Sequence, residues 1–197
     1  MKLKQIFTLL LLLVIGGCLM AQESELNVKS GLRFGYQDSK SIRNGVDYKD
    51  NYLSGYIGYF MMKELTHKIA IGTCFEYNIS GWKDKSDDKK YERENICIPL
   101  FVNLNIGRHL YVHSGVSANF LLGETFTVRN YEMAVPDKYK THLVSTLAFA
   151  GAGIKIFMVS LEARYYLGLN NISTSRDFNV KEAYLQIGAR FNFKNNF

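Results

Sequence analysis

At 197 residues the chain is long enough for one domain and too short for two of ordinary size. Its 13 Tyr, 13 Phe and 16 Gly against 2 Pro suit pleated strands with tight bends and argue against a helical bundle. The formal charge of +6 is modest and has no compact basic motif, which excludes nucleic acid as a partner.

Residues 1–21 read as an export signal: Lys2 and Lys4 form a positive start, 6–15 is uncharged and apolar, and Leu19, Met20 and Ala21 precede a cleavage point before Gln22. The apolar run is shorter than the roughly 20 residues a spanning helix needs. A second reading stays open, because Ile15-Gly16-Gly17-Cys18 resembles a lipobox in which Cys18 would carry a lipid. Removing Lys2 and Lys4 leaves residues 22–197 as the mature domain, with 22 basic residues against 18 acidic and a charge of +4. That excess falls in loops, where solvation is its ordinary use and attraction to lipopolysaccharide phosphates the sharper one.

From Leu26 onward the hydropathy has period 2, so one side of each segment is apolar and the other polar or small. The first strand puts Leu32, Phe34 and Tyr36 on one face and Lys29, Arg33 and Gln37 on the other. A second spans 52–62, with Leu53, Ile57, Tyr59 and Met61 on its apolar face. The third sets Ile71, Phe75 and Tyr77 against Cys74, Glu76 and Asn78, and the fourth Ile98, Leu100 and Val102 against Cys97, Pro99 and Asn103. In the fifth, Val112, Val116 and Leu122 oppose Tyr111, His113 and Ser117. The sixth, 143–156, is apolar or small on both faces. The seventh alternates Leu161, Tyr165 and Leu167 with Glu162, Arg164 and Tyr166, and the eighth Leu185, Ile187 and Phe191 with Glu182, Gln186 and Arg190.

The links between these strands alternate in length. Short ones fall at 63–66, 107–109 and 155–158, and long polar ones at 39–51, 83–93, 126–141 and 171–181. An up-and-down membrane barrel needs this order, with brief periplasmic turns and longer outer loops. Strands of about 10–12 residues also match a tilted membrane crossing better than ordinary globular strands of about 5–6. In lipid an open sheet edge is intolerable, so the sheet must close, and eight strands leave an interior that side chains fill. Glu76, Glu162 and Glu182 against Lys29, Arg33, Arg164 and Arg190 supply a charge network for that interior. The expected fold is therefore all-β: an eight-stranded antiparallel up-and-down transmembrane β-barrel of a bacterial outer membrane, with no open pore.

Several stretches resemble the PorT-like outer-membrane β-barrel proteins of Bacteroidetes. They are Phe75-Glu76-Tyr77-Asn78-Ile79-Ser80-Gly81 followed by a charged loop and Ile96-Cys97-Ile98-Pro99-Leu100, then Arg164-Tyr165-Tyr166-Leu167-Gly168-Leu169-Asn170-Asn171-Ile172, and Gln186-Ile187-Gly188-Ala189-Arg190-Phe191-Asn192-Phe193. Cys97 and the tail 194–197 depart from the family pattern. The resemblance implies fold and location and no reaction, since that family has no common catalytic residues. Phe197 resembles the terminal aromatic signal read by the outer-membrane assembly machinery, and it also reads as the plain end of an aromatic strand.

Candidate chemistry is sparse. His67, His109 and His142 fall at turns or strand ends, while His113 faces the lumen near Ser117 and Glu124 in sequence. A lipid-modifying enzyme would use these as base, nucleophile and carboxylate, which requires all three within hydrogen-bond reach. Cys74 and Cys97 face inward on one hairpin, as two buried thiols or as a cross-strand disulfide formed on the oxidising export route. The mixed charges of 83–93 read as a solvated loop, without the spacing of a calcium site. The expected role is a non-enzymatic structural or interaction protein, with no cofactor and no metal. Its expected partners are outer-membrane lipids and lipopolysaccharide, the assembly machinery during biogenesis, and a protein at the extracellular loops. A barrel holding a small hydrophobic ligand is the other rival, and it requires an apolar lumen.

Overall fold

The computed structural model describes residues 28–193, except 44–45, 48–49, 85–87, 130, 137–138 and 175–178. The export segment, Cys18 and Phe197 lie outside the described residues. Eight long strands follow one another: β1 (Val28–Arg43), β3 (Tyr52–Glu64), β4 (Ile69–Asp84), β5 (Lys89–Ile106), β6 (Leu110–Val128), β8 (Val144–Ile156), β9 (Val159–Gly168) and β10 (Val180–Asn192). Two short strands, β2 (Val46–Asp47) and β7 (Tyr131–Met133), pair back onto β1 and β6. Each long strand pairs antiparallel with its sequence neighbour, and β10 returns to β1 from Gly31↔Asn192 to Arg43↔Val180. The sheet is closed, so no strand edge faces lipid.

The period-2 pattern sorts the side chains as the sequence implies. Leu100, Val102 and Leu104 of β5 and Leu161, Tyr165 and Leu167 of β9 face outward and are exposed, whereas Glu162 and Arg164 are buried within. An outer surface this uniformly apolar is stable only against hydrocarbon.

The turn end is compact. At 65–68 the backbone N–H groups of Leu65 and Thr66 donate to the Ile69 carbonyl, and Thr66 Oγ1 accepts from Lys68 and Ile69. Gly107, at φ +70°, supplies the left-handed residue of the 107–109 turn.

The loop end departs from expectation. Segments 83–93 and 126–141 are not wholly loop: β4 and β5 stay paired out to Asp84↔Lys89, and β5 and β6 to Lys89↔Val128. The strands β4, β5 and β6 hold 16, 18 and 19 residues against 10 in β9. A membrane crossing uses about 9–11, so these three, like the 16-residue β1, continue beyond the apolar band, and β4, β5 and β6 do so side by side as a wall. Charged residues there satisfy their backbone by strand pairing, which the hydropathy pattern does not register. A bulge at Glu94/Asn95, where Leu122 is the extra residue on β6, reverses which side faces inward, so Glu124 and Phe126 turn into the barrel mouth.

Candidate functional site

Two places combine buried polar chemistry with defined geometry: the lumen at mid-height and the mouth at the loop end. The lumen is organised by Arg33 of β1, which is fully buried. Its Nη1 donates to Glu76 Oε2, its Nε to Glu162 Oε1 at 2.9 Å and its Nη2 to Gln186 Oε1 at 3.3 Å. Gln186 in turn donates to Glu76 Oε1 at 2.5 Å and to Gln37 Oε1 at 3.0 Å. Glu162 also accepts from the Tyr111 hydroxyl at 3.0 Å and pairs with Arg164 at 3.5 Å. One guanidinium thus joins β1, β4, β9 and β10, holding opposite walls of the barrel. Charge-assisted bonds of this kind resist exchange with water where the local dielectric is low.

The rest of the expected network divides. Arg164 lies over the rings of Phe101 and Phe149, both at 5.3 Å, and Arg190 over Tyr111 at 4.7 Å and Phe60 at 5.0 Å. Arg190 forms no ion pair among the described residues, and its Nε and Nη1 lack hydrogen-bond partners there. Glu182 pairs not with the mid-lumen arginines but with Arg93, at 3.1 Å. Sequence reasoning assigned Arg93 to a loop, and the extended β5 brings it inside. Lys29 is a correction: its ammonium is partly exposed near the turn end, bonded to Glu64 at 2.5 Å, because a residue one turn from the barrel rim reaches solvent more cheaply than the centre.

Alternation turned Tyr166 and Tyr184 inward, and the tertiary structure adds Phe149 to make them an aromatic layer. Phe149, Tyr166 and Tyr184 stack across β8, β9 and β10 with ring centroids 4.7 and 4.4 Å apart. Gly153 belongs with it: a Cβ there would lie 2.3 Å from the Tyr111 ring, so its hydrogen makes room for that side chain. Arginine and aromatic rings together occupy the lumen at mid-height.

The two cysteines are buried free thiols. The register sets Cys97 opposite Glu76 and Cys74 beside Phe60, so the disulfide alternative fails on geometry. Residues offset by two across a strand pair lie roughly 7–8 Å apart, at or beyond the disulfide limit. Pro99 breaks the β4–β5 ladder between Leu100 and Cys97, and Asn78 donates to Cys97 Sγ at 3.1 Å.

The catalytic grouping suggested by sequence is not assembled. His113 lies among Phe101, Tyr111 and Phe149, and Ser117 donates to Asn119 at 2.8 Å. Glu124, eleven positions from His113 along β6, is roughly 35 Å away by strand rise. It accepts instead from Tyr91 at 2.6 Å and from the Thr141 hydroxyl at 2.5 Å.

At the mouth, Trp82 stacks on Tyr91 at 5.7 Å and meets Tyr139 edge-on at 5.2 Å, with Phe126 completing the cluster. Tyr52 donates to Glu92, and the Lys83 and Lys90 ammonium groups each lie 5.3 Å from its ring. The wall of β4–β6 is therefore ordered by its own small core, separate from the mid-lumen core.

A closed barrel with a lipid-facing apolar belt and a filled polar lumen is matched by a family model over residues 20–174, described as an outer membrane protein beta-barrel domain. The chain belongs to that family. Among solved structures it is similar to Ail, the attachment invasion locus protein of Yersinia pestis, crystallised with the heparin analogue sucrose octasulfate: TM-score 0.54, 15% identity, covering 84% of this chain and 99% of that one. It is also similar to Neisserial surface protein A, with TM-score 0.56 and 10% identity, covering 83% of this chain and 97% of that one. At these identities the likeness establishes the fold. The search of curated proteins gives no match. The chain is an integral barrel of the bacterial outer membrane.

Proposed function

We propose that this barrel is a non-enzymatic surface-recognition protein, whose filled body is a rigid support and whose working face is the loop end. One observation carries the reading: β4, β5 and β6 continue past the membrane band and are locked there by an aromatic core, an expense of ordered structure that anchoring alone does not require. Rigid scaffolds commonly place recognition on their connecting segments. A protein of the same fold, Ail, is by its name an attachment protein.

The finer parts of the proposal follow the sequence. Residues 1–21 direct export, the chain is kin to the PorT-like group of Bacteroidetes, and the outer-membrane assembly machinery inserts it. Outer-membrane lipid and lipopolysaccharide surround the belt, and a protein or surface partner meets the loop end.

Photo-cross-linkers placed at Tyr131 and Met133, at the loop end, and at Phe157, at the turn end, test this on intact cells. Capture of a discrete partner from the first two sites and not from Phe157 supports it. Equal capture from both ends, or step conductance of the purified barrel in a planar bilayer, overturns it.

A further inference from the structure

Among the described residues, three short turns close the end of the barrel opposite the mouth, and they differ in kind. The first, 65–68, exposes His67 and Lys68, and the second, 107–109, exposes Arg108 and His109. Asn105 ties these two together, its N–H donating to the Lys68 carbonyl at 2.7 Å and its side chain to the His67 carbonyl at 3.1 Å. The third turn joins β8 to β9 through Phe157 and Met158 and carries no charge.

Phe157 departs from ordinary turn chemistry. Its side chain is fully exposed, and its backbone lies at φ +56°, in the left-handed region that Gly107 occupies in the neighbouring turn at φ +70°. That conformation is free for glycine and unfavourable for a bulky side chain, so holding Phe there carries a cost. Packing within the barrel does not offset it, because the ring touches none of the barrel's core. A contact outside the protein is the remaining compensation.

The surface leading to the turn indicates what that contact is. Outward side chains descend as Ala152, Ile154 and Ile156 on β8 and return as Val159, Leu161 and Ala163 on β9. The hairpin from Val144 to Leu167 has no outward charge: Glu162 and Arg164 are buried in the lumen, and Lys155 turns inward to donate to Asn105 at 2.6 Å. The apolar belt therefore runs unbroken through the tip. The turn backbone also suits a water-poor setting. Its Met158 carbonyl accepts both the Asn192 N–H at 2.8 Å and the Asn192 side-chain amide at 3.1 Å, which engages both lone pairs.

We propose that the β8–β9 turn is a lipid anchor: Phe157 and Met158 sit among the phospholipid acyl chains of the leaflet at the turn end. The turns at 65–68 and 107–109 stay level with the headgroups, their cations facing lipid phosphates. The barrel is thereby seated unevenly, deeper on the β8–β9 side. A protein partner fits the tip less well, since a stable interface buries about 800 Å² on each side and two side chains supply a small part of that.

Tryptophan reporters measure the depth. Phe157→Trp and His67→Trp are made separately in the full-length mature barrel and folded into phosphatidylcholine vesicles with or without bromine on the acyl chains. The parent barrel supplies the background, because Trp82 lies in the mouth core beyond the apolar band. Phe157→Trp is expected to emit at shorter wavelength than His67→Trp and to lose at least about half of its added emission to brominated chains, whereas His67→Trp loses little. Heat-modifiable migration shows that each variant is folded, and Met158→Trp replaces Phe157→Trp if that variant is not. Equal quenching at the two turns, or emission at the β8–β9 turn unchanged by bromine, overturns the assignment. So does a discrete protein cross-linked through Phe157 in intact cells, which would give the tip a periplasmic partner. The fluorescence outcome leaves loop-end recognition untouched.

Discussion

Arg33 and Arg190 face each other directly across the β1–β10 seam that closes the barrel, and both are buried. They differ in their partners, so replacing each by methionine isolates what the partners contribute. Arg33→Met strands Glu76 and Glu162 in the lumen. Breaking a buried ion pair costs about 3–5 kcal/mol. Glu162 retains Tyr111 at 3.0 Å and Arg164 at 3.5 Å, while Glu76 retains Gln186 alone among the described residues, so the single-pair range applies rather than twice it. Arg190→Met removes a cation that forms no ion pair among the described residues, although Glu162 attracts it across the lumen. It loses the contacts over Tyr111 and Phe60, worth up to about 2 kcal/mol each when desolvated. It also removes a charge whose burial costs several kcal/mol and which stands opposite a like charge. The two effects nearly cancel, and stability should stay within about 1 kcal/mol of wild type. Urea titration of the detergent-folded barrel, followed by Trp82 emission and by heat-modifiable mobility, measures both. The variants should differ by at least about 2 kcal/mol, and Glu76→Gln with Glu162→Gln should restore much of the Arg33→Met loss. Equal losses from the two arginines, or no recovery in the triple variant, would refute the account of Arg33 as the lumen's organising cation.

Three further outcomes test the remaining structure. Alkylation of the unreduced mature chain in denaturant should add two adducts at Cys74 and Cys97, read by mass, whereas a disulfide would leave both sites unmodified. Leu100→Arg, on the lipid face, should cost about 2–4 kcal/mol in a bilayer if Leu100 lies near mid-depth, and folding yield into vesicles measures it. Gly153→Leu should overpack the lumen against the Tyr111 ring by about 1–3 kcal/mol, seen as a lowered urea midpoint, and an unchanged midpoint would contradict the close approach of that ring.

The sequence by itself determined the barrel. Alternation has a strict period of 2, lipid demands a closed sheet, and the ordering of short and long links leaves one up-and-down topology; each of these is a local signal or a rule that holds for every such chain. The inward placement of Arg33, Glu76, Glu162, Arg164 and Arg190 followed from the same count. Pairing did not, because which carboxylate a buried arginine meets depends on strand stagger around the closed cylinder. Glu162 of β9 reaches Arg33 of β1 across the lumen, from a position 129 residues away in the chain. The register likewise separated Cys74 from Cys97. The mouth was hidden for another reason. A charged segment such as Lys83–Asp84 and Lys89–Arg93 looks like loop by hydropathy, and only the continued pairing of β4 with β5 brings Arg93 inside, as the bulge at Leu122 does Glu124 and Phe126. Backbone hydrogen bonds are indifferent to side-chain polarity, so strands outrun the pattern by which a sequence reveals them.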